Sequence, residues 1–414
     1  MKTSRFQSLE CTLCKAQYPV DTQTTCTKCG GVLDARYDLA DKKFDLSGQV
    51  MHSIWDFQDL MPPISDGNVV SLSEGWTPIV RAERYARSIG SQDLWCKLEG
   101  LNPTGSFKDR AASLGLSLAR EWQKKGVIVA STGNAAAAMS AYSARAGIPC
   151  LVLIREDSTA SKLAQIAMYG AHLLRVRGIF NSKSNMVYAQ GLAQNALPDW
   201  LNLLIWAPYN PLLVDGFKTM AYEIATDLGK EGIPDYIFVP TAGGDLLYGL
   251  YKGFSDLKET GTIEKIPGLV PVQGENSSPT VTALKTGAEK VKELEKAETV
   301  AGALRVSFGT DHTLHAVRKT NGFGVALGDE EILKAQREIA KLDGIFTEVS
   351  SATALAGISK AIKEGDMAKD QRALAILTGL GFKDYYPPFS DISTVPLAEE
   401  LDQIPSILKS KYGF

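Results

Sequence analysis

Long apolar runs are missing from the sequence. No stretch of its 414 residues reaches the roughly 18 consecutive apolar residues that a membrane-spanning helix needs. The first ten residues, Met1 to Glu10, lack the apolar core of a signal peptide. We therefore expect no membrane partner and a cytoplasmic location.

The sequence also has no excess of basic residues. The chain carries 44 Lys and Arg against 47 Asp and Glu, which gives a net charge of −3 and a pI near 5.9. Nucleic-acid-binding domains usually show a basic balance, so we expect no nucleic-acid partner. The remaining composition is globular, with 44% hydrophobic and 22% charged residues. The length suggests two or three domains.

Cysteine is scarce, and four of the six cysteines lie near the start of the chain. Cys11 and Cys14 form one C-x-x-C pair, and Cys26 and Cys29 form another. Two such pairs offer the tetrahedral sulfur set of a structural zinc ribbon. Two disulfides or an empty site are alternatives, although disulfides are rare in cytosolic proteins. A nucleic-acid-binding ribbon is disfavoured because the segment has few basic residues.

The stretch 97–110 carries the strongest functional signal. It reads Lys-Leu-Glu-Gly-Leu-Asn-Pro-Thr-Gly-Ser-Phe-Lys-Asp-Arg and precedes a helix-like segment, 111–123. Residues 102–105 favour a turn, and Ser106 stands where a helix cap would stand. Lys108 falls in the first helical turn, where the helix dipole disfavours an ammonium. A lysine that loses its proton readily can form a Schiff base with an aldehyde cofactor. The alternative is a solvated surface lysine.

The run Asn-Pro-Thr-Gly-Ser-Phe-Lys-Asp-Arg resembles the cofactor-lysine motif of threonine synthases, and the likeness extends from Ser73 to Asp384. These enzymes belong to the second structural class of pyridoxal-phosphate enzymes, together with tryptophan synthase β-subunits and serine and threonine dehydratases. The resemblance implies that Lys108 carries pyridoxal 5'-phosphate and later moves protons on an amino-acid substrate. It also implies a homodimer.

Strand-like runs alternate with helix-length segments from residue 94 onward. The strand candidates are 127–130, 149–154, 172–176, 236–239, 270–274 and 373–377. This alternation predicts an α/β fold with parallel sheets that helices cover. The Lys- and Glu-rich segment 280–298 is expected to be a solvated helix.

The resemblance adds a domain plan to this α/β prediction. It implies two doubly wound lobes, the smaller inserted into the larger, behind a small N-terminal zinc ribbon. We predict the ribbon at 1–35, a large cofactor-binding lobe at 36–120 and 216–414, and a small inserted lobe at 121–215.

Ser131-Thr132-Gly133-Asn134-Ala135 follows a strand candidate and opens a helix candidate. Backbone N–H groups at a helix N-terminus, together with two hydroxyls, make an anion site that suits a substrate carboxylate. A plain helix cap is the alternative. The resemblance implies that Asn134 bonds the ring oxygen of the cofactor. Ser131, Thr132, Gly133 and Ala135 would then bind the substrate.

A second strand-to-helix turn is glycine-rich and holds Thr241, Ala242, Gly243, Gly244 and Asp245. Glycines allow consecutive N–H groups to cradle a phosphate, although many such turns bind nothing. The resemblance implies that these five residues bind the cofactor phosphate. Asp245 departs from the family pattern, because a carboxylate would repel a phosphate dianion. Its side chain is expected to point away, or the site is tuned differently.

A third segment, Thr378-Gly379-Leu380-Gly381, follows the last strand candidate. The resemblance implies that Thr378 bonds the pyridine nitrogen of the cofactor. Leu380 stands where the family has histidine, and the stretch also reads as a strand with a tight turn. Residues 344–351 resemble another family segment, Gly-x-Phe-x-Glu-Pro-x-Ser.

Residues 210–219 match a family segment with two departures. Leu213 replaces a common arginine, and Phe217 replaces a common glutamine. Both changes remove polar groups from the region expected to face the substrate, which puts a phosphorylated substrate in question. Lys218 either binds the substrate or is a structural helix lysine.

His312 and His315 are spaced so that they could seat a metal ion, but two histidines without a third ligand are more often plain polar residues. They could still line the substrate entrance.

The sequence thus predicts a pyridoxal-phosphate-dependent lyase. Its leading function is that of a threonine synthase, which converts O-phosphohomoserine and water to threonine and phosphate. The departures keep open a β-replacement enzyme, such as a cysteate synthase, or an ammonia-lyase or dehydratase that acts on another amino acid. A non-catalytic interaction protein with a relic fold is the alternative from a different class.

Overall fold

The computed structural model describes residues 4–21, 25–46, 52–158, 160–384, 396–397, 400 and 403–412. The chain divides into two compact units, Met1–Lys383 and Asp384–Phe414. Within the second unit, a helical turn at Ile404–Ile407 continues into a π-helical turn at Leu408–Tyr412. All other elements of the described residues belong to the first unit.

The strands of the described residues form three sheets. In chain order they are β1 (Phe6–Cys11), β2 (Gln17–Tyr18), β3 (Leu33–Tyr37), β4 (Ile79–Arg81), β5 (Leu94–Leu98), β6 (Gly126–Ala130), β7 (Cys150–Arg155), β8 (His172–Val176), β9 (Trp200–Asn202), β10 (Tyr236–Pro240), β11 (Gly268–Gly274), β12 (Val325–Leu327) and β13 (Ala373–Leu377).

Helices connect most of these strands. They are α1 (Glu83–Ile89), α2 (Lys108–Glu121), α3 (Asn134–Ala146), α4 (Ala160–Met168), α5 (Lys183–Ala196), α6 (Val214–Leu228), α7 (Asp245–Glu259), α8 (Pro279–Lys285), α9 (Asp311–Lys319), α10 (Asp329–Asp343), α11 (Val349–Glu364) and α12 (Ile404–Ile407). Among the described residues, no helix has the length and apolar character that crossing a membrane would require.

The large sheet has six strands in the order β12-β11-β10-β13-β5-β4, and only β4 runs antiparallel to its neighbour. Its two central strands, β10 and β13, are almost entirely buried, as expected for parallel strands covered by helices. Helix α11 packs against both of them. The α/β prediction with parallel sheets is therefore confirmed.

The second sheet is fully parallel, in the order β8-β7-β6-β9, and the chain builds it between β5 and β10 of the large sheet. All four of its strands lie between Gly126 and Asn202, inside the range predicted for the inserted lobe. The predicted domain bounds themselves include residues outside those described and stay a prediction.

The N-terminal strands form a small antiparallel sheet in the order β2-β1-β3. Its apolar side packs onto the main body, because Leu9 and Leu33 share a buried cluster with Leu114 and Leu118 of α2. We call residues 4–21 and 25–37, which contain this sheet and the four N-terminal cysteines, the ribbon.

Two local expectations are wrong. The segment 280–298 is not one solvated helix: α8 ends at Lys285, Gly287 adopts a left-handed φ of 70°, and Thr280 and Val281 are buried. Ser106 is not the cap of α2, because Phe107 takes the N-cap position and the Ser106 hydroxyl is buried with no recorded partner among the described residues. By contrast, 172–176 and 373–377 are strands with the predicted bounds.

Candidate active site

The lysine loop lies at the carboxyl ends of two neighbouring strands. It leaves β5 and enters α2 at Lys108, and two backbone hydrogen bonds tie it to the end of β13. The Phe107 N–H donates to the Thr378 carbonyl at 3.0 Å, and the Leu380 N–H donates to the Gly105 carbonyl at 3.0 Å. The carboxyl ends of parallel strands are where open α/β sheets bind their ligands.

The amine of Lys108 lies in an apolar setting. Its Nζ is 4.5 Å from the centre of the Phe107 ring and 5.5 Å from that of Phe217. Burial lowers the pKa of Lys108, and the charges of Asp245 and Glu348 only partly oppose this effect. No hydrogen bond or ion pair of this amine is recorded among the described residues, so it is available as a nucleophile. The alternative of a solvated surface lysine is set aside.

A buried ionic network fixes the helix turn that carries Lys108. The Arg110 guanidinium donates to Glu99 Oε2 at 2.8 Å and to Glu223 Oε2 at 2.8 Å, and all three side chains are fully enclosed. Lys97 Nζ adds a second cation, 2.9 Å from Glu223 Oε2. Such a network is highly directional, and it holds the start of α2 against α6.

The glycine-rich turn lies between β10 and α7. Gly244 is the N-cap residue of α7 with φ of 101°, and a Cβ at this position would overlap the Thr313 hydroxyl. Thr310 Oγ1 donates to the Gly243 carbonyl at 3.1 Å, which braces the turn from α9's N-terminal side. Thr241 is held by its N–H, which donates to the Val272 carbonyl at 3.0 Å. The turn thus presents backbone N–H groups at a helix N-terminus, which favours an anion.

Asp245 points to a backbone donor. Its Oδ1 accepts the Ala207 N–H at 2.6 Å, and the residue is 7% exposed. Burial raises the pKa of Asp245 to about 6, against the opposing charge of Lys108. The carboxylate is therefore directed to Ala207, while its charge still reaches the amine.

Thr378 belongs to a buried cluster around one carboxylate. Its hydroxyl donates to Glu348 Oε1 at 2.9 Å and lies 2.8 Å from Ser351 Oγ. Asn134 Nδ2 donates to Glu348 Oε2 at 2.9 Å. Glu348 thus connects α3, the helix that follows β6 of the second sheet, to the end of β13. A Cβ on Gly379 would lie 2.5 Å from the Glu348 carboxyl carbon, so the cluster requires glycine at that position.

The Ser131–Ala135 loop follows β6 and opens α3. The Gly133 N–H donates to Ser131 Oγ at 3.2 Å, and Gly133 is exposed while Ser131, Thr132, Asn134 and Ala135 are half-buried. The loop therefore offers accessible N–H groups and hydroxyls at the N-terminus of a 13-residue helix.

Lys218 lies elsewhere. Its side chain is fully buried, with Nζ 3.6 Å from the Tyr37 ring centre and 3.7 Å from both Asp215 Oδ1 and Asp256 Oδ2. These contacts face the ribbon and α7, and they indicate the structural alternative for Lys218 rather than substrate binding.

The four N-terminal cysteines converge. Their sulfurs all lie within 4.8 Å of one another, with Cys11 and Cys29 Sγ at 3.5 Å and Cys14 and Cys26 Sγ at 3.5 Å. Sulfurs bound tetrahedrally at ~2.3 Å from zinc would be ~3.8 Å apart. A hydrogen bond from the Tyr18 hydroxyl, despite burial, lowers the pKa of Cys26 to about 6. The set fits a tetrahedral metal ion.

The residues around the lysine also fit a phosphorylated cofactor. The indole Nε1 of Trp206 is buried, has no recorded partner among the described residues, and lies 3.5 Å from where a Gly243 Cβ would be. A buried N–H without an acceptor carries a free-energy cost, and a phosphate oxygen at the turn would relieve it. The orphaned donor, the glycine turn and the free amine fit a phosphorylated aldehyde.

Some of these residues were missed in the sequence. Glu348 and Ser351 lie within a segment that resembles the family, so that likeness was a usable signal. Trp206, Thr310 and Thr313 follow no motif, and only the folded chain brings them to the Gly243–Gly244 turn.

An amine without a recorded partner in the described part of the chain, at the carboxyl ends of parallel strands and beside a glycine turn at a helix N-terminus, fits an α/β enzyme with a phosphorylated aldehyde as its cofactor. Residues 70–379 match the family model described as "Pyridoxal-phosphate dependent enzyme". The chain belongs to this pyridoxal-phosphate-dependent enzyme family, which confirms the enzyme prediction and sets aside the relic interaction protein.

Relatives agree with this assignment, and solved structures show the same fold. The threonine synthase of Methanocaldococcus jannaschii is 35% identical over 381 residues, 90% of this chain and 92% of that protein. That of Methanosarcina acetivorans is 37% identical over 382 residues, 91% and 92% of the two chains. Maize serine racemase has the same fold, with a TM-score of 0.66 and 23% identity over 77% of this chain and 92% of that chain. The threonine deaminase isoform 2 of Solanum lycopersicum, in its processed form, has a TM-score of 0.62 and 19% identity, over 82% and 84% of the two chains.

Proposed function

We propose that this chain is a threonine synthase that converts O-phosphohomoserine and water to threonine and phosphate. The observation that carries the proposal is the alignment with curated threonine synthases at 35% and 37% identity over about nine-tenths of the chain. The position of the free Lys108 amine supports it.

Residues from several segments would hold pyridoxal phosphate. Lys108 would bind its aldehyde, and the turn of Thr241, Ala242, Gly243 and Gly244 would bind its phosphate, with Trp206 Nε1 as a further donor. The Thr378 hydroxyl, held by Glu348 and Ser351, would bond its pyridine nitrogen, and Asn134 its ring oxygen. When bound, the cofactor withdraws electrons from the substrate α-carbon and makes its proton acidic.

The amine of Lys108 performs the proton transfers. Once Lys108 is released from the cofactor, its Nζ would accept the proton from the substrate α-carbon and return it during later steps. This role requires an amine that can take up and release a proton near neutral pH. Burial lowers its pKa in that direction. The Phe107 and Phe217 rings exclude bulk water from one side of the amine.

The Ser131–Ala135 loop is the proposed site of the substrate carboxylate. Its accessible N–H groups at the start of α3 and the hydroxyls of Ser131 and Thr132 provide donors, as the dipole of the helix favours an anion. We also propose zinc at Cys11, Cys14, Cys26 and Cys29, with a structural role because four protein ligands leave no open position.

A second candidate substrate class is favoured by the wall beside Lys108. Leu213 lies in the core against α2 and is 2% exposed. A leucine instead of the family's common arginine therefore removes no polar group from the surroundings of the Lys108 amine. Phe217, however, packs at 5.2 Å against Phe107 and faces Lys108, where the family commonly has glutamine. An apolar wall at this point suits a β-replacement enzyme or an ammonia-lyase with another amino acid.

Phosphate release from O-phosphohomoserine distinguishes a threonine synthase from the second candidate class. The proposal predicts phosphate and threonine from O-phosphohomoserine with the wild-type holoenzyme and neither with Lys108→Ala, which should also lose the visible absorbance band of the cofactor. If the wild type leaves O-phosphohomoserine unchanged but turns over phosphoserine or a hydroxy amino acid, the second candidate replaces the first. The homodimer, the cytoplasmic location and the lack of a nucleic-acid partner stay predictions.

A further inference from the structure

One carboxylate of the ribbon is buried against helix α7. Asp34 of β3 is 4% exposed. Its Oδ1 accepts from Lys252 Nζ at 2.6 Å, and its Oδ2 accepts from the Tyr248 hydroxyl at 3.0 Å. Lys252 Nζ also lies 2.7 Å from Asp215 Oδ1 on α6. Arg36, which is partly exposed, lies 3.7 Å from Asp34 Oδ2, and these charges together form a joint between the ribbon and the main body.

Two neighbours of Asp34 complete this joint. The Tyr37 hydroxyl donates to Asp215 Oδ2 at 2.6 Å, and Lys252 Nζ reaches the Ala35 carbonyl at 3.3 Å. Removing one member of a buried ion pair leaves the others without compensation, so the joint tolerates little displacement. Strand β3 is therefore held in one position relative to α7.

The same face of α7 leads to the glycine turn. Asp245, Tyr248 and Lys252 lie at spacings of three and four residues, so they share one side of the helix. The Tyr248 ring packs against the His312 ring with centres 4.4 Å apart. Contacts from the ribbon thus reach the residues that surround Gly244, the N-cap of this helix.

From His312 the contacts continue to the turn itself. His312 Nε2 lies 3.2 Å from Thr310 Oγ1, which donates to the Gly243 carbonyl at 3.1 Å. Thr310 Oγ1 is also 2.7 Å from Thr313 Oγ1, the group that fills the space beside Gly244. Each contact from Asp34 to Gly243 is direct, and the four side chains that make them are buried: Asp34, Tyr248, His312 and Thr310.

The four-cysteine cluster determines where β3 begins. Cys11 lies opposite Leu33 in the β1–β3 register, and Glu10 lies opposite Asp34. Gly31 passes so close to Cys11 Sγ that a Cβ there would be 2.8 Å from the sulfur. A metal ion that joins Cys26 and Cys29 to Cys11 and Cys14 would cross-link the chain before β3 to the end of β1, at the Cys11–Leu33 end of their pairing, whereas free thiols would not.

We propose that the ribbon is a metal-dependent support of the cofactor-phosphate turn, and that Asp34 is its positioning residue. With metal bound, β3 presses Asp34 onto Tyr248 and Lys252, and this contact holds Gly243 and Gly244 through His312 and Thr310. Asp34 touches neither cofactor nor substrate. The inference rests on the proposed role of the 241–244 turn, but not on the identity of the amino-acid substrate.

The first test uses the zinc-loaded holoenzyme. Asp34→Asn should weaken pyridoxal-phosphate binding about tenfold, within the usual range of coupling between sites. Tyr248→Phe, which keeps the ring on His312, should have a smaller effect in the same direction. Both should shift the ³¹P resonance of the bound cofactor. The matched control is Asp199→Asn, the same substitution in an exposed ion pair with Lys125 at 2.6 Å, which should change neither quantity.

The second test removes the metal. A chelator should weaken cofactor binding of the wild type by about the factor seen for Asp34→Asn, and should have no further effect on Asp34→Asn. Cofactor affinity and the ³¹P resonance are measured after the zinc content has been determined.

Two results overturn the proposal. One is an unchanged ³¹P resonance and cofactor affinity in folded, zinc-loaded Asp34→Asn and Tyr248→Phe; if Asp34→Asn does not fold, Tyr248→Phe decides. The other is an equal effect of Asp199→Asn. Gly244→Ala separates this failure from failure of the phosphate assignment. If Gly244→Ala moves the ³¹P resonance and the ribbon variants do not, the turn binds phosphate without the ribbon. If none of them moves it, the assignment of the turn is wrong as well.

Discussion

At the residue scale, the most demanding position is Arg110. Its side chain is fully buried and binds two carboxylates, Glu99 from the turn after β5 and Glu223 from α6. Desolvation of these charges is unfavourable. The five hydrogen bonds of the guanidinium offset this cost, and they do so only while every partner is in place. The network keeps Lys108, two residues earlier, at the strand ends.

Arg110→Met should destabilise the fold by about 3–5 kcal/mol, because Glu99 would remain buried without a cation and Glu223 would keep only Lys97. Urea unfolding followed by circular dichroism measures this change. The matched control is Arg81→Met at an exposed pair with Asp93, 3.4 Å apart, where a change of no more than about 1 kcal/mol is expected. Equal effects of the two variants would contradict the role given to Arg110.

The same network predicts a loss of stability in acid. Although burial opposes it, Arg110 and Lys97 lower the pKa of Glu223 from 4.5 to about 2. Glu223 therefore contributes its full stabilisation above pH 4.5, and this is lost as the pH falls toward 2. Arg110→Met should begin to unfold at a higher pH than the wild type. An acid titration of both proteins checks this, and coincident curves would contradict it.

Asp245 is a residue whose charge works against the cofactor phosphate. Asp245→Asn keeps an acceptor for the Ala207 N–H and removes a negative charge from the end of the turn. We expect pyridoxal phosphate to bind more tightly by about 1 kcal/mol, roughly fivefold, measured by absorbance titration. Weaker binding would show instead that the turn needs the carboxylate.

At the scale of elements, the end of β13 joins the two sheets. Its Gly379 leaves room for the Glu348 carboxylate, which in turn holds Asn134 of α3 and Thr378. The site therefore depends on the relative positions of these elements, and not on any single one of them.

Gly379→Ala should reduce cofactor binding by at least about tenfold, since the new methyl group would displace Glu348 and through it Asn134 and Thr378. Gly191→Ala in α5 is the control, because a Cβ there meets nothing within 4 Å and should leave cofactor binding unchanged. Full cofactor affinity in Gly379→Ala would contradict the role of Glu348.

The elements also show what the sequence could predict. The strand 373–377 was predictable because an apolar run between turn residues identifies a buried parallel strand. The strand 172–176 also has the predicted bounds, although its residues are largely exposed. The three turns at 102–105, 131–135 and 241–245 were recognisable from their motifs. By contrast, the 280–298 prediction failed because composition alone does not reveal that Thr280 and Val281 are buried.

Whether a departure from the family motif lies in the core or beside the lysine depends on packing, which the sequence does not show. The sequence could not distinguish a position in the core, such as Leu213, from one beside the amine, such as Phe217. It also gave two roles for Lys218, and only the contacts with Tyr37, Asp215 and Asp256 favour the structural one.

At the scale of the whole molecule, the site is assembled from segments separated by more than 270 residues, from Thr104 to Leu380. The four-stranded sheet is built between β5 and β10 and brings the 131–135 loop to the ends of the large sheet. The ribbon adds a third body on α2 and α7. Long-range joints of this kind cannot be read from local sequence, because they depend on which buried charges meet.

The most direct measurement is to reduce the holoenzyme with borohydride and map the cofactor to a tryptic peptide by mass spectrometry. Among the described residues three lysines are buried, Lys97, Lys218 and Lys252, and these would compete with Lys108 for the cofactor. We expect the cofactor to be fixed to Lys108 alone. A label on any of the other three, or on none, would contradict it.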